Sequence, residues 1–483
     1  MIPVRISARR GTAAAAITLA ALSGCTGPAH ESFGPVSYEA LEASLGVDNA
    51  DAREAAVAPE GPLTLRAALA AALLNHPRLR EAAWGPRVAE ARRLQAGRRP
   101  NPELEVGLEG FGGDGSLSGF DNAETTVVLS QVLELGGKRK RRTDAAAAAG
   151  RVAVVEEEAV RLEVLTETTL RYLRVLETQL RADLADRAAG VAEEARQAVD
   201  QRVQAGDVAP VDAIRSGLEY ESAAILADRF RRELETRRLV LAAALGQNRP
   251  SFGKLAGAFG PMEEVPPLPS LTPLLAEHPL IRQAEADVER LRAVAAVERS
   301  LRIPNVRVGL GGQYQGEADE PGFVAGASVP LPLFDQNRGN RLAARLEAAR
   351  AVDATEATRR ALAERLADTH GAAEVAFHEA VAVRDRLLPA AEEAFAATRR
   401  AYEEGKVAYV AVLEAQQTLF EIESRSLDAV SDYHLRVAEL EGLMAAPLRE
   451  NAKPAPAGRA GSAPGPAVAP APTDPDSSSL STP

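Results

Sequence analysis

The chain has 483 residues, 46% of them hydrophobic and only 4% aromatic, with a formal charge of -12. That is enough apolar material for a large core, but without a basic domain to neutralise phosphate it excludes nucleic-acid binding. A single cysteine excludes a disulfide framework and a thiolate metal site, and the six histidines are not spaced to share a metal.

The chain opens with Arg5, Arg9 and Arg10 ahead of a short apolar run, residues 12–22. The run is too short to span a bilayer and reads as an export signal, residues 1–24. Leu22-Ser23-Gly24-Cys25 follows and resembles the lipobox of bacterial lipoproteins. That resemblance implies cleavage before Cys25 and a covalent lipid, such as palmitate, on its thiol. Thr26, which is not Asp, implies forwarding to the outer membrane. No other cofactor is implied. Residues 25–60 read as an arm leading away from this anchor. No later stretch has 18 consecutive apolar residues, so a chain crossing a membrane has to do so as a β-barrel.

From Leu63 a helix runs to a break at His76-Pro77, and a second runs to about Gly97, with a bend at Gly85-Pro86. Residues 103–111 then alternate. Leu104, Val106 and Leu108 share one face, and Glu103, Glu105 and Glu109 the other, as in a strand between two solvents. A Gly-rich loop flanked by Phe111 and Phe120 leads to a return strand, 124–133. Both strands are near the ~9–11 residues of a tilted membrane strand. Gly136-Gly137 turns the chain into a helix from Lys138 to Ala205, roughly 100 Å long at about 1.5 Å per residue. A turn at Gly206 returns a helix to residue 246. A Pro/Gly-rich linker, 247–270, follows.

The plan then repeats at an offset of 199 positions, with matches Gly206/Gly405, Val208/Val407, Leu241/Leu440 and Leu245/Met444. His278-Pro279 echoes His76-Pro77. Strands are expected at 305–313, where Arg307 opposes an apolar face, and at 323–331, with Tyr314 and Phe323 flanking the loop. The second hairpin spans 338–445. Pro389 and the matching Gly190 are each expected to bend or break a long helix. The tail, 447–483, is rich in Pro, Ala and Ser and reads as disordered. The repeats occupy 61–246 and 271–446, so one structural unit is used twice.

The stretches LTLRAALAAALLNHPRLREA, RRPNPELEVGLEG, LSQVLELGGKRKRR, SVPLPLFDQNRGN and AYEEGKVAYVAVLEAQQTL together resemble the TolC-type outer-membrane efflux proteins. NPEL followed by ELGGKR is most similar to the outer-membrane components of cobalt–zinc–cadmium and copper–silver efflux systems. The resemblance implies a mainly α fold with a membrane β-barrel portion. Three chains, with four strands each, would close a 12-stranded barrel continued by a long periplasmic α-helical barrel. It implies a passive, non-enzymatic exit duct in the outer membrane. The implied partners are two further copies, a periplasmic membrane-fusion adaptor, an inner-membrane RND-type transporter and outer-membrane lipid. Heavy-metal cations are the expected cargo. A drug or other small-molecule duct of the same fold, and a lipid-anchored coiled-coil adaptor or scaffold, are the alternatives.

Within that frame, Glu103, Glu105, Glu109 and Arg307 are candidate pore-lining residues, and the acid excess would favour cations. The family's periplasmic gate carboxylates correspond here to Ala411 and Glu414, and Asp212 takes the matching place in the first repeat. Asp212 and Glu414 are therefore the gate candidates. Gly206, Val208, Gly405 and Val407 are the candidate adaptor contacts, because apolar residues exposed at a turn suit a partner. The basic run Lys138 to Arg142 reads as cations at the membrane edge of a helix entering the periplasm.

Overall fold

The computed structural model describes residues 62–446 and 448, except 116–117, 121 and 317–319. Cys25, the export signal, the arm and nearly all of the tail lie outside the described residues. Everything described belongs to one compact unit, 49–483.

Local chemistry sets the first helices. Thr64 caps α1 (Leu65–Asn75) by accepting from the Ala67 N–H at 3.2 Å. His76 then caps α2 (Pro77–Ala82), its Nδ1 accepting from the Arg78 N–H at 3.2 Å, with Pro77 at a first-turn position that needs no donor. The next break falls at Ala83. Gly85-Pro86 sits inside the first turn of α3 (Trp84–Ala96), which continues through it, because a first-turn proline sacrifices no hydrogen bond.

Two strands follow, β1 (Glu103–Glu109) and β2 (Glu124–Leu133), and Phe111 stacks on Phe120 across their loop at 5.5 Å. The first helical hairpin is α4 (Lys138–Ala205) and α5 (Pro210–Ala244). In the second repeat His278 caps α6 (Pro279–Ser300) through the Leu280 N–H, as His76 caps α2. Then come β3 (Val306–Gln315) and β4 (Glu320–Ser328). The second hairpin is α7 (Arg338–Ala382), a π-turn at Val383–Leu387, α8 (Leu388–Glu403) and α9 (Tyr409–Met444).

Three expectations are corrected. The final strand ends at Ser328, not at 331, because Pro330 and Pro332 have no N–H to give a ladder. Because β3 runs to Gln315 and β4 starts at Glu320, Tyr314 and Phe323 lie within strands and do not flank the loop. Gly190 does not break α4, which runs unbroken for 68 residues. The two residues are unequal perturbations. An exposed glycine costs a helix about 1 kcal/mol. A proline removes a donor and collides with the carbonyl four residues back. The π-turn immediately before Pro389 absorbs that misfit, so the second long helix alone is interrupted.

The four strands form one antiparallel sheet in the order β1-β2-β3-β4. The helices bury two equivalent cores. One gathers Leu63, Val164, Leu176, Leu241 and Leu245, and the other Leu271, Ile281, Leu366, Leu440 and Met444. Leu241/Leu440 and Leu245/Met444 occupy the same place in each, and burying such a side chain is worth roughly 1.5–3 kcal/mol. The linker is bound to both cores. Tyr172 donates to Leu63 O and Ala256 O, and the Gln179 side chain accepts from Leu255 N–H at 2.9 Å. Further along, Tyr433 donates to Glu263 O at 2.7 Å and His370 meets Pro266 O at 2.8 Å.

Burial holds the imidazoles of His76 and His278 below the usual histidine value of 6.5, and the charge of Arg365 adds to the effect at His278. The unfolded chain takes up these protons near pH 6.5 and the folded chain only lower, so the caps stabilise fully above pH 6.5 and are lost as pH falls below it. Thermal unfolding followed by helical circular dichroism should therefore show a falling midpoint on acidification from about pH 7. His278→Asn, which caps without titrating, should reduce that fall, and an unchanged pH profile would remove His278 as its source.

Candidate functional site: the sheet faces and the hairpin tips

Strand register decides which side chains share a face. Glu103 pairs with Ser130 and Val132 with Arg307. One face therefore carries Glu103, Glu105, Glu109, Glu124, Arg307 and Gln313, with glycines between them. The other carries Leu104, Val106, Val127, Leu129, Leu310 and Phe323. This second face is apolar and exposed in the isolated chain: Leu104 is 68% and Leu310 72% accessible. No helix among the described residues is long and apolar enough to cross a membrane.

The polar face differs from its sequence reading in one respect. Arg307 does not simply oppose three glutamates, for it forms an ion pair with Glu103 and also donates to Ser130 Oγ at 3.3 Å. Negative charge is thereby concentrated at the loop end, where Glu109 faces Glu124 directly across β1 and β2. Glu124 was not visible as a site residue from periodicity, since its face depends on the register with β1. Close strand approach is built in at Gly311, where a Cβ would lie 2.1 Å from Val127 O.

At the far end of the helices, both hairpins turn the same way. Gly206 takes φ +81° and Gly405 φ +70°, the left-handed geometry that glycine tolerates. Asp207 N–H returns to Arg202 O at 2.9 Å, and Lys406 N–H to Ala401 O at 2.8 Å. The glycines are exposed, but Val208 and Val407 are half-buried within their turns and present little apolar surface. The exposed apolar residues beside the first tip are Val211 and Ile214, one turn into α5. Asp212 is half-buried in that turn and Glu414 is exposed. Neither forms an ion pair among the described residues.

What joins the two tips was missed in the sequence. Arg202 at the end of α4 hydrogen-bonds the hydroxyl of Tyr402 at the end of α8, and its guanidinium lies 5.5 Å from the ring centre. Tyr402 packs on Tyr409 with ring centres 5.7 Å apart. Burial and the charge of Glu219 hold the Tyr409 phenol above its usual value. Higher up the seam Gln417 donates to Glu219 at 2.6 Å and Arg181 pairs with Asp428 at 2.7 Å. Between them lies a cavity of about 160 Å³ lined by Ala188, Ala192, Leu226 and Phe420. The available sequence signal was two tyrosines flanking Gly405, but their partner lies 200 residues away. No group of His, Cys, Asp and Glu that could hold a metal ion occurs among the described residues.

A duplicated helical hairpin carried on a two-faced, open-edged sheet defines a TolC-like outer-membrane channel. The chain belongs to the outer membrane efflux protein family, whose pattern matches residues 68–247 and 271–446. It is 32% identical over 392 residues to the cobalt-zinc-cadmium resistance protein CzcC of Cupriavidus metallidurans, covering 81% of this chain and 91% of that one. The nickel and cobalt resistance protein CnrC of the same organism is 29% identical over 299 residues, 62% of this chain and 70% of that one. Among solved structures, the open state of the Neisseria gonorrhoeae MtrE outer membrane channel superposes with a TM-score of 0.66 at 20% identity, covering 80% of this chain and 89% of that one. The protein is thus an efflux duct of the outer membrane reaching into the periplasm, a component of pumps that also contain an adaptor and a transporter.

The Glu103–Arg307 pair makes a charge-cycle prediction. Arg307→Ala should raise the cation-over-anion permeability ratio measured from reversal potentials in planar bilayers. Glu103→Ala/Arg307→Ala should return it close to wild type, and no shift in either variant would mean that the pair does not face the ion path.

Proposed function

We propose that the chain is the passive exit duct of a tripartite pump for divalent heavy-metal cations. The cargo assignment is supported chiefly by the 32% identity to CzcC over 91% of that protein's length. The acidic bias of the sheet's polar face favours cations, and conduction of an ion needs weak, repeated attraction, not a chelating site. A drug duct of the same fold remains the competing reading of cargo. The test is complementation. In a host lacking its own duct but retaining a cobalt–zinc–cadmium adaptor and transporter, this chain should restore resistance to those metals and not to hydrophobic drugs.

Assembly as a homotrimer is supported by the sheet edges. The outer edges of β1 and β4 carry backbone groups that lipid cannot satisfy. Four strands do not close a barrel, and three copies supply twelve. On α5 an exposed apolar stripe at Val211, Ile214, Leu218 and Ile225 has the three- and four-residue spacing of a helix seam and suits a neighbouring copy or an adaptor. A covalent lipid on Cys25 would anchor the N-terminal arm. The two repeats, 61–246 and 271–446, would each contribute one strand pair and one hairpin, joined by the 247–270 linker.

The gate is assigned to the hairpin tips. Asp212 and Glu414 would line the periplasmic entrance, with Gly206, Val208, Gly405 and Val407 forming the turns that meet the adaptor or an RND-type pump's adaptor–transporter assembly. Glu105 and Glu109 would line the barrel lumen. The Arg202–Tyr402 contact ties the second hairpin's tip to the first, so releasing it is expected to free the entrance. Tyr402→Ala and Glu414→Ala should each raise closed-state current in planar bilayers several-fold. An unchanged current in one of them removes that residue from the gate.

A further inference from the structure

The four strands enter and leave their helices at one end of the sheet, and that end is strongly basic. Residues 138–142 read Lys-Arg-Lys-Arg-Arg and form the first turns of α4. Cations are unfavourable there, because the helix dipole already places positive charge at an N-terminus. The chain offsets little of this. Lys138 is buried against the neutral side chain of Asn305 at 2.5 Å, and Arg142 is held by Glu134. Arg139 and Lys140 are exposed and Arg141 half-buried, and none of the three has an ion pair among the described residues. Asp144, one turn further, does not reach them within ion-pair distance.

The same pattern recurs around the junction. Arg99 precedes β1 and Arg302 precedes β3, both exposed and without an ion pair among the described residues. Arg338 opens α7, whose first turn contains no acid, and among the described residues its side chain is bonded to the neutral Gln336 and to no acid. At the opposite end of the sheet the charge reverses. Residues 109–124 and 315–320 contain acids and not one Lys or Arg. Beside the basic end the apolar surface continues, for Leu135, Leu331, Leu333 and Phe334 are all exposed. Cations next to exposed large apolar side chains, at the edge of a lipid-facing sheet, match a headgroup boundary in depth and in charge.

We propose that Arg99, Arg139, Lys140, Arg141, Arg302 and Arg338 form a collar that binds the phosphodiester headgroups of anionic phospholipids in the periplasm-facing leaflet of the outer membrane. This rests on the sheet lying in that membrane with the helices on its periplasmic side. The lipid phosphates supply the negative charge that the first turns of α4 and α7 lack. The neighbouring apolar side chains hold the acyl region just above. The collar fixes the height of the barrel in the bilayer, independently of an anchor at Cys25.

The test uses the purified full chain reconstituted in phosphatidylcholine bilayers at low salt, with traces of spin-labelled phosphatidylglycerol or phosphatidylcholine. Phosphatidylglycerol should be at least about threefold enriched in the protein-bound fraction. The preference should fall to near parity in Arg139→Gln/Lys140→Gln/Arg141→Gln. It should persist in Arg229→Gln/Arg231→Gln/Arg232→Gln, which removes equal charge far from the sheet, and in the conservative Arg139→Lys/Arg141→Lys. In the wild type, salt at about 0.5 M should abolish it by screening. Equal association of the two lipids with the wild type, or full preference in the glutamine triple variant, overturns the collar. Loss of the preference to inorganic phosphate at matched ionic strength also overturns it, in favour of a free-phosphate site. A wild type that inserts and conducts without lipid preference sinks the collar alone, whereas failure to insert at all sinks the membrane reading beneath it.

Discussion

The structure depends on the unpaired edges of a four-stranded sheet. In hydrocarbon, each backbone N–H or C=O without a partner costs several kcal/mol, and the outer rows of β1 and β4 have no strand partner among the described residues. One face of the sheet is apolar and exposed and the other carries carboxylates, so neither folding over nor burial inside the protein would satisfy both. Continuation of the sheet into further copies, as proposed above, would reconcile the two faces with the two edges. The helices inherit this constraint, because they leave the sheet together at one end and must run side by side.

Helices of this length cannot be stabilised by local propensity. Their stability comes from packing at a few heights. The two equivalent cores lie where α4 meets α5 and where α7 meets α9, and the linker 247–270 is fastened across both by tyrosine, glutamine and histidine side chains. Below that height the seam is polar and sparse. Arg181–Asp428, Glu219–Gln417 and Arg202–Tyr402 are mostly exposed contacts, and exposed ion pairs contribute little to stability. The tips are therefore held to each other by weak contacts, which suits the gate proposed for them.

Much of the architecture was legible in the sequence, and the reasons are specific. The alternation from Glu103 to Leu108 exposed a strand with two faces, and the 199-residue offset exposed the duplication, because both signals are local or periodic. The glycines at 206 and 405 marked turns because the left-handed geometry excludes most other residues. What stayed hidden depends on partners distant in sequence. Glu124 joins Glu109 only through strand register, Arg307 is neutralised only by a residue in the other repeat, and Tyr402 finds Arg202 only when the hairpins meet. The equal treatment of Gly190 and Pro389 failed for a different reason. A missing side chain weakens a helix, whereas a missing donor forces the hydrogen-bond ladder to change step.

That last difference gives the duplicated halves unequal mechanics. The first hairpin stands on an uninterrupted rod from the membrane edge to the tip. The second carries a change of hydrogen-bond register at Val383–Leu387, part-way along its descending arm. A pull applied at the tips would then be borne stiffly by one copy of the ancestral unit and taken up as flexure by the other, so a gene duplication has yielded a post and a hinge from one template.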